Sequence, residues 1–288
     1  MNFHSHVRSQ SAMEYLLTYG WTILIIAIVV IALFQLGLIG GPNLSSKATA
    51  AACQVVKTVQ GSVLAGQCNG EWPQFVAQLS GSSSISVTPV QMPISGTSRT
   101  ITGWVYPTSE TGNHGIFYYG GTNCVPNGAV FGLILSGPDL YLWGSCDDAA
   151  TSLSVPLNTW SFVAVSYGGG VQATIYLDNT NQVISWSSSV TCNSLSCTNA
   201  FIGGAPGWWG GQFSGNMANI QVYNVSLSQS DIQTLYQEGI GGAPVDPTHI
   251  VGWWPLNGNA HDYSGNNNQG TATSVSYNSS WSSGYVLT

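Results

Sequence analysis

From Tyr15 to Ile39 the chain runs 25 residues without a charged side chain. Fifteen of the residues from Leu16 to Ile39 are Leu, Ile, Val or Phe. At roughly −0.3 to −0.6 kcal/mol each, they favour a bilayer by about 5–9 kcal/mol. A helix of that length spans about 37 Å, enough to cross a hydrocarbon core of about 30 Å with some tilt. Gly37, Gly40, Gly41 and Pro42 then end it. A secretory signal peptide has a shorter apolar region, about 7–15 residues, with small residues at its far end. Here the small polar group Ser9-Gln10-Ser11-Ala12 comes first. A cut between Ser9 and Gln10 would leave the apolar helix on the mature chain. It would also create an α-amine at Gln10, with Glu14 as the fifth residue.

The stretch QSAMEYLLTYGWTILIIAIVVIALFQLG resembles the class III signal peptide of archaeal type IV pilin-like proteins. In that family a prepilin-peptidase-like enzyme cuts before a Gln, and a Glu stands at the fifth mature position; Gln10 and Glu14 match both. The third mature position is often Ser and here is Ala12, with Ser11 one place earlier. The resemblance covers residues 1 to about 40. It implies a homopolymer through the N-terminal helices, in which Glu14 meets the Gln10 amine of the next copy, since a buried carboxylate needs a partner. It also implies insertion in the membrane before assembly. A plain membrane anchor, with Glu14 reaching the headgroups, is the alternative.

The rest of the chain is sparsely charged. Only 5% of its 288 residues are Asp, Glu, Lys or Arg, and the formal charge is −7. Arg8, Lys47, Lys57 and Arg99 are scattered, so the cationic footprint of a nucleic-acid partner is missing. A surface with few titrating groups is expected to change little with pH. Six cysteines beside an apolar helix favour disulfides outside the cytoplasm. Nearest-neighbour pairing, Cys53–Cys68, Cys124–Cys146 and Cys192–Cys197, brackets short loops; free buried thiols are the other reading. Sequons occur at Asn43, Asn224 and Asn278. They are glycosylation candidates on an exported chain.

From about Phe75 to Gly239, short alternating runs separated by Gly, Asn, Pro and Ser predict an all-β sandwich or jelly roll. In WSFVAVSYGG both faces are apolar, Phe162 with Ala164 and Val163 with Val165, which predicts a central strand. One helix follows. Ser228 is its expected N-cap with Asp231 three residues on, Ile232, Leu235 and Tyr236 form its apolar face, and Gly239 stops it.

ITGWVYPTS, NTWSFVAVSYGGG, ATIYLDN and SGNMANIQVYNVSLSQSDIQTLY resemble the LamG-like, concanavalin A-like superfamily over about residues 75–240. The resemblance implies the fold and says little of function, because that fold hosts lectins, adhesion modules and hydrolases. The tail segment VGWWPLNGNAHDYSGNNNQGT resembles the opening strands of the same family. Three arrangements follow from that: the tail completes its own domain, it pairs with the next subunit, or it begins a truncated second domain.

A glycosidase on such a fold needs two carboxylates about 5–10 Å apart. Beyond the N-terminal helix the glutamates are Glu71, Glu110 and Glu238 only, and no Ser-His-Asp arrangement stands out, so no enzyme is expected. Sugar binding needs exposed aromatic faces and hydrogen-bonding groups. Trp208 and Trp209, set between glycines in GGAPGWWGGQF, are candidates, with Tyr141 and Trp143; packing over the rim is the competing reading. For a calcium ion the hard ligands are Asp139, Asp147, Asp148, Asp178 and Asp262. DYSGNNNQG could hold one through Asp262, Asn266 and Asn268, or form an Asx-rich turn.

The sequence therefore predicts a leader at 1–9, a long hydrophobic α-helix at 10–40, and a linker with a disulfide loop at 41–74. An all-β jelly-roll sandwich at 75–242 and the tail at 243–288 follow. The expected product is a surface filament subunit at the archaeal cell surface, displaying a lectin-like domain for adhesion and glycan binding. A membrane-anchored protein that never polymerises is the alternative.

Overall fold

The computed structural model describes residues 21–29, 73–88, 91–121, 130–144, 148–186, 199–204 and 211–281, and the backbone at 55–57 and 64–66. The chain divides into two compact units, Met1–Ser45 and Ser46–Thr288. In the first, residues 21–29 are helical (α1) with every side chain exposed, Ile23 at 66% and Ile25 and Ile26 at 57%. Among the described residues no helix is long and apolar enough to cross a membrane. The remainder of the expected apolar helix, with Ser9, Gln10 and Glu14, lies outside the described residues. So do all six cysteines, Asn43, Asp147, Trp208 and Trp209.

The second unit opens with a short hairpin, β1 (Val55–Lys57) and β2 (Leu64–Gly66). Among the described residues, two antiparallel sheets then face each other. One holds β3 (Val76–Ser80), β5 (Arg99–Pro107), β10 (Ser161–Tyr167), β11 (Gln172–Leu177), β12 (Thr180–Ser185), β14 (Ser214–Tyr223), β15 (Ile250–Trp254) and β17 (Ser276–Asn278). The other runs in the order β16 (Gly270–Thr273), β4 (Ser84–Val87), β13 (Asn199–Ile202), β6 (Asn113–Gly120), β7 (Val130–Ser136), β8 (Asp139–Trp143), β9 (Ala149–Ser154). Period-2 alternation sends Phe117, Phe131, Leu133, Val163, Val165 and Ile175 into the space between the sheets.

Strand β10 is central, as its two apolar faces require: it pairs with β5 on one side and β11 on the other. Val163 and Val165 enter the inter-sheet core, while Phe162 and Ala164 point to the opposite face. That outer face is covered by α2 (Gln229–Glu238), whose N-cap Ser228 forms a capping box with Asp231. Ile232, Leu235 and Tyr236 are the helix's buried residues, and Tyr236 stacks on Trp104 at 5.9 Å. Gly239 ends the helix at φ +79°.

The tail completes its own domain. Strand β14 is ten residues long and pairs with β5 along one side. On its other side β3 occupies Ser214–Met217, and β15 from the tail occupies Ile220–Tyr223. Strand β16 then adds to β4 in the opposite sheet, and β17 returns to β3 in the first. The tail thus closes one side of the sandwich; Gln182, accepting from the Ser152 backbone N–H at 2.9 Å, links β12 to β9 on the other. Trp254 of β15 is fully buried, tilted against Phe117 at 5.5 Å, with its indole N–H on the carbonyl of Asn268. The expected sandwich at 75–242 and the tail at 243–288 thus contribute strands to the same two sheets.

Candidate functional site

The outward face of the seven-stranded sheet carries a row of aromatic side chains. Strand pairing sets Thr271, Ser86, Phe201, Tyr118, Gly132 and Trp143 directly opposite one another across β16, β4, β13, β6, β7 and β8. Cross-strand neighbours on one face stand close enough to pack. The Phe201 and Tyr118 ring centres are 5.7 Å apart, and the Tyr118 and Trp143 rings meet edge-on at 4.5 Å. Gly132 permits this. A Cβ there would lie 2.1 Å from the Cβ of Tyr118 and 2.5 Å from the carbonyl oxygen of Phe117. One row further along, Tyr141 stands between Ile134 and Ala150.

The ladder is graded in exposure. Tyr118 and Trp143 are buried, Phe201 and Tyr141 are half-buried, and Ser86, Ala150 and Thr271 are exposed. Of the aromatic residues picked out by sequence, Tyr141 and Trp143 are thus brought together, with Tyr141 the more open of the two. Phe201 and Tyr118 are missed by sequence reasoning. The available signal is the alternation in IFYYG, which puts Tyr118 on the face opposite Phe117 and Tyr119. Trp208 and Trp209 lie outside the described residues; Gly204 and Gln212 pair in an isolated bridge.

The strand ends flanking three cysteine-bearing segments lie at one end of this sheet. Gly120, Val130 and Asn199 are opposite one another across β6, β7 and β13, and Trp143 is opposite Gly132.

The described aspartates that could serve calcium, Asp139, Asp148, Asp178 and Asp262, all accept hydrogen bonds. Asp262 is buried; one carboxylate oxygen accepts from the backbone N–H groups of Trp253 and Ser264, and the other from the Ser264 hydroxyl and the Asn268 N–H. Asn266 donates its amide to the carbonyls of Ile250 and Val251, and Asn268 donates to Val251. DYSGNNNQG is therefore an Asx-rich turn that straps β15, and its Asp262 oxygens do not fit a calcium cage. Asp148 accepts from the Gly144 N–H, Asp139 from the Ser154 hydroxyl, and Asp178 from the Phe162 N–H. Burial raises the Asp178 carboxyl, and the Phe162 N–H opposes the rise. Among the described residues no three His, Cys, Asp or Glu side chains cluster as metal ligands. Asn224 is exposed, and Asn278 is half-buried in β17 with its side-chain oxygen accepting from the Ser280 N–H.

Three ionisable groups lie away from this face, Arg99 and Tyr119 buried and Glu238 half-buried. Arg99 is fully buried and donates to the carbonyls of Pro93, Ile94, Ser95 and Thr97 and to the Tyr119 hydroxyl. Its guanidinium lies 5.1 Å from the Phe131 ring centre. Burial pushes the Tyr119 phenol up to about 12, with Arg99 pulling the other way. Burial also pushes the Glu238 carboxyl, at the end of α2, up to about 7.

The arrangement offers aromatic faces and hydroxyl groups, the chemistry of sugar contact. A profile described as the concanavalin A-like lectin/glucanases superfamily matches residues 79–233. No curated protein sequence matches the chain. Among solved structures, a candidate carbohydrate-binding protein from Bacteroides ovatus is 16% identical, with a TM-score of 0.56, covering 72% of this chain and 60% of that one. This chain thus spans less than two thirds of that relative, and the likeness is one of fold. A heptameric pentraxin from Limulus polyphemus is 12% identical at a TM-score of 0.47, covering 70% of this chain and 94% of that one. Domain 4 of an extracellular arabinanase from Geobacillus stearothermophilus, solved with arabinotriose, is 21% identical at a TM-score of 0.44, covering 56% and 76%.

Proposed function

We propose, from a chain that belongs to the concanavalin A-like lectin/glucanase superfamily, a carbohydrate-binding module displayed at the cell surface for adhesion. The observation that carries the reading is the Phe201–Tyr118–Gly132–Trp143 ladder with Tyr141 beside it. Buried Tyr118 and Trp143 hold the ladder rigid, and half-buried Phe201 and Tyr141 offer ring faces to sugar C–H groups. The exposed hydroxyls of Ser86 and Thr271, in the same row, supply hydrogen bonds. The Bacteroides relative's assignment to carbohydrate binding supports the same reading. In this reading the module binds sugars without turning them over; Asp139, Asp148, Asp178 and Asp262 each serve as hydrogen-bond acceptors within the fold. The test is calorimetric titration of the full chain in detergent with a panel of oligosaccharides. Tyr141→Ala weakens binding about tenfold or more while leaving the fold intact; unchanged affinity would count against this face.

The element that displays the module is the N-terminal apolar helix. In this reading a prepilin-peptidase-like enzyme removes residues 1–9, the helix from Gln10 leaves the membrane, and copies bundle into a filament core. Support comes from Gln10 and Glu14 standing together before the uncharged run Tyr15–Ile39. The helical residues 21–29 add to it, because their apolar side chains need lipid or a second chain to cover them. The alternative is an anchor that never polymerises. Electron microscopy of sheared cells separates the two: Glu14→Ala abolishes filaments in the first case and leaves a membrane-bound protein unchanged in the second.

A further inference from the structure

The tail presents a second aromatic feature, on the opposite side of the sandwich. Trp254 of β15 points into the inter-sheet core, so its neighbour Trp253 points outward, beside the cluster under α2. Trp253 is half-buried, and Tyr263 beside it is 46% exposed, their ring centres 6.2 Å apart and steeply inclined. Within Ser46–Thr288, Tyr263 is the one strongly exposed aromatic side chain among the described residues.

Each ring is tethered by one side-chain hydrogen bond. The Trp253 indole N–H donates to the Asn219 side chain at 2.8 Å. Asn219 itself sits at φ +51°, where β14 shifts register against β5, and its amide donates to the carbonyl of Gly242. The Tyr263 backbone N–H donates to the carbonyl of Trp253 at 2.7 Å, and its hydroxyl meets the Asn259 amide at 3.2 Å. Trp254 already supplies the core anchor of this strand, so stability does not call for an exposed ring pair fixed in place. Rigid aromatic rings at a surface lose little entropy on binding, which makes them efficient contacts.

The charge around the pair restricts the ligand. Arg99 is the one Lys or Arg after Lys57, and it is buried with its guanidinium committed to carbonyls and Tyr119. Among the described residues no Lys or Arg is free to hold a carboxylate, sulfate or phosphate, and the formal charge of −7 disfavours anions.

We propose that Trp253 and Tyr263, with the Asn259 amide, form a second binding site for neutral, uncharged sugar rings, facing away from the Phe201–Tyr141 face. A module with sites on both sides bridges two glycan chains and gains avidity on a multivalent surface.

The experiment titrates the full chain in detergent at about pH 8, where an ordinary imidazole is neutral. The probes are neutral xylo-, manno-, arabino- and cello-oligosaccharides, against sialyllactose and polygalacturonate. Neutral probes bind, and added salt changes their affinity little. Tyr263→Ala halves the sugar equivalents bound per chain while the Tyr141 face keeps binding, which a global folding defect would not do, and Tyr263→Phe restores them. Unchanged stoichiometry in Tyr263→Ala, with Tyr141→Ala abolishing binding, overturns this site and leaves the sheet-face reading standing. Tyr263-dependent binding of the acidic probes alone overturns the neutral-sugar assignment. No binding by the unmodified chain overturns both sites together.

Discussion

At Gly132 the aromatic ladder leaves no room for a methyl group, because the nearest atoms are the Cβ of Tyr118 and the backbone of Phe117. Gly132→Ala forces a shift in β6 or β7, and overpacking against backbone costs about 1–3 kcal/mol or more. Urea unfolding measures that loss. Asp262 is the opposite case, a buried acceptor of four hydrogen bonds. Asp262→Ala strands three backbone N–H groups and is expected to cost about 2–4 kcal/mol, whereas adding or chelating calcium leaves the unfolding midpoint where it was. Sequence chemistry names these donors and acceptors but does not say whether they face a cation or one another. Glu238 escapes the sequence altogether, since only the fold buries it. Its folded carboxyl keeps its proton to about 7, against 4.5 for the ordinary group. Between those values the folded state binds more protons than the unfolded one, so stability falls as pH rises and levels off above neutrality. A chain expected from its few charges to be insensitive to pH therefore melts at lower temperature at pH 8 than at pH 5. Glu238→Gln flattens that slope; a slope unchanged by the substitution would assign it to another group.

The elements divide by how local their causes are. Helix α2 is legible because its cap, apolar face and terminating glycine all sit within twelve residues, Ser228 to Gly239. Strand β10 is legible because apolar residues on both faces leave it nowhere but the middle of a sheet. The sandwich itself follows from such strands, and the tail's likeness to opening strands is visible in VGWWPLNGN. Its destination is not, because β16 and β17 pair with β4 and β3 across most of the domain's sequence, and β15 must reach past α2 to β14. Nor is the ladder: Phe201 and Tyr118 become neighbours only through the β13–β6 register. Dependence on the tail has a direct consequence. Truncation after Val245 removes Trp254 and uncovers the flanks of β14, β3 and β4, and the truncated chain is expected to lose its cooperative thermal transition. Trp254→Ala in the full chain leaves the pairing but opens a cavity, lowering stability by about 3–5 kcal/mol.

For the whole molecule, the two sheets create two outward faces that are covered to different extents. One is covered by α2 and the strapped tail, with Trp253 and Tyr263 at its margin; the other keeps Phe201 and Tyr141 half-open. A sparsely charged surface relies on ring faces, amides and hydroxyls for contact, and these suit neutral polyols better than ions. The most direct measurement is the structure of the full chain bound to an oligosaccharide selected by titration. A sugar ring stacked over Phe201 and Tyr141, with its hydroxyls toward Ser86 and Thr271, is the predicted result. A sugar held over neither this face nor the Trp253–Tyr263 pair would contradict the account.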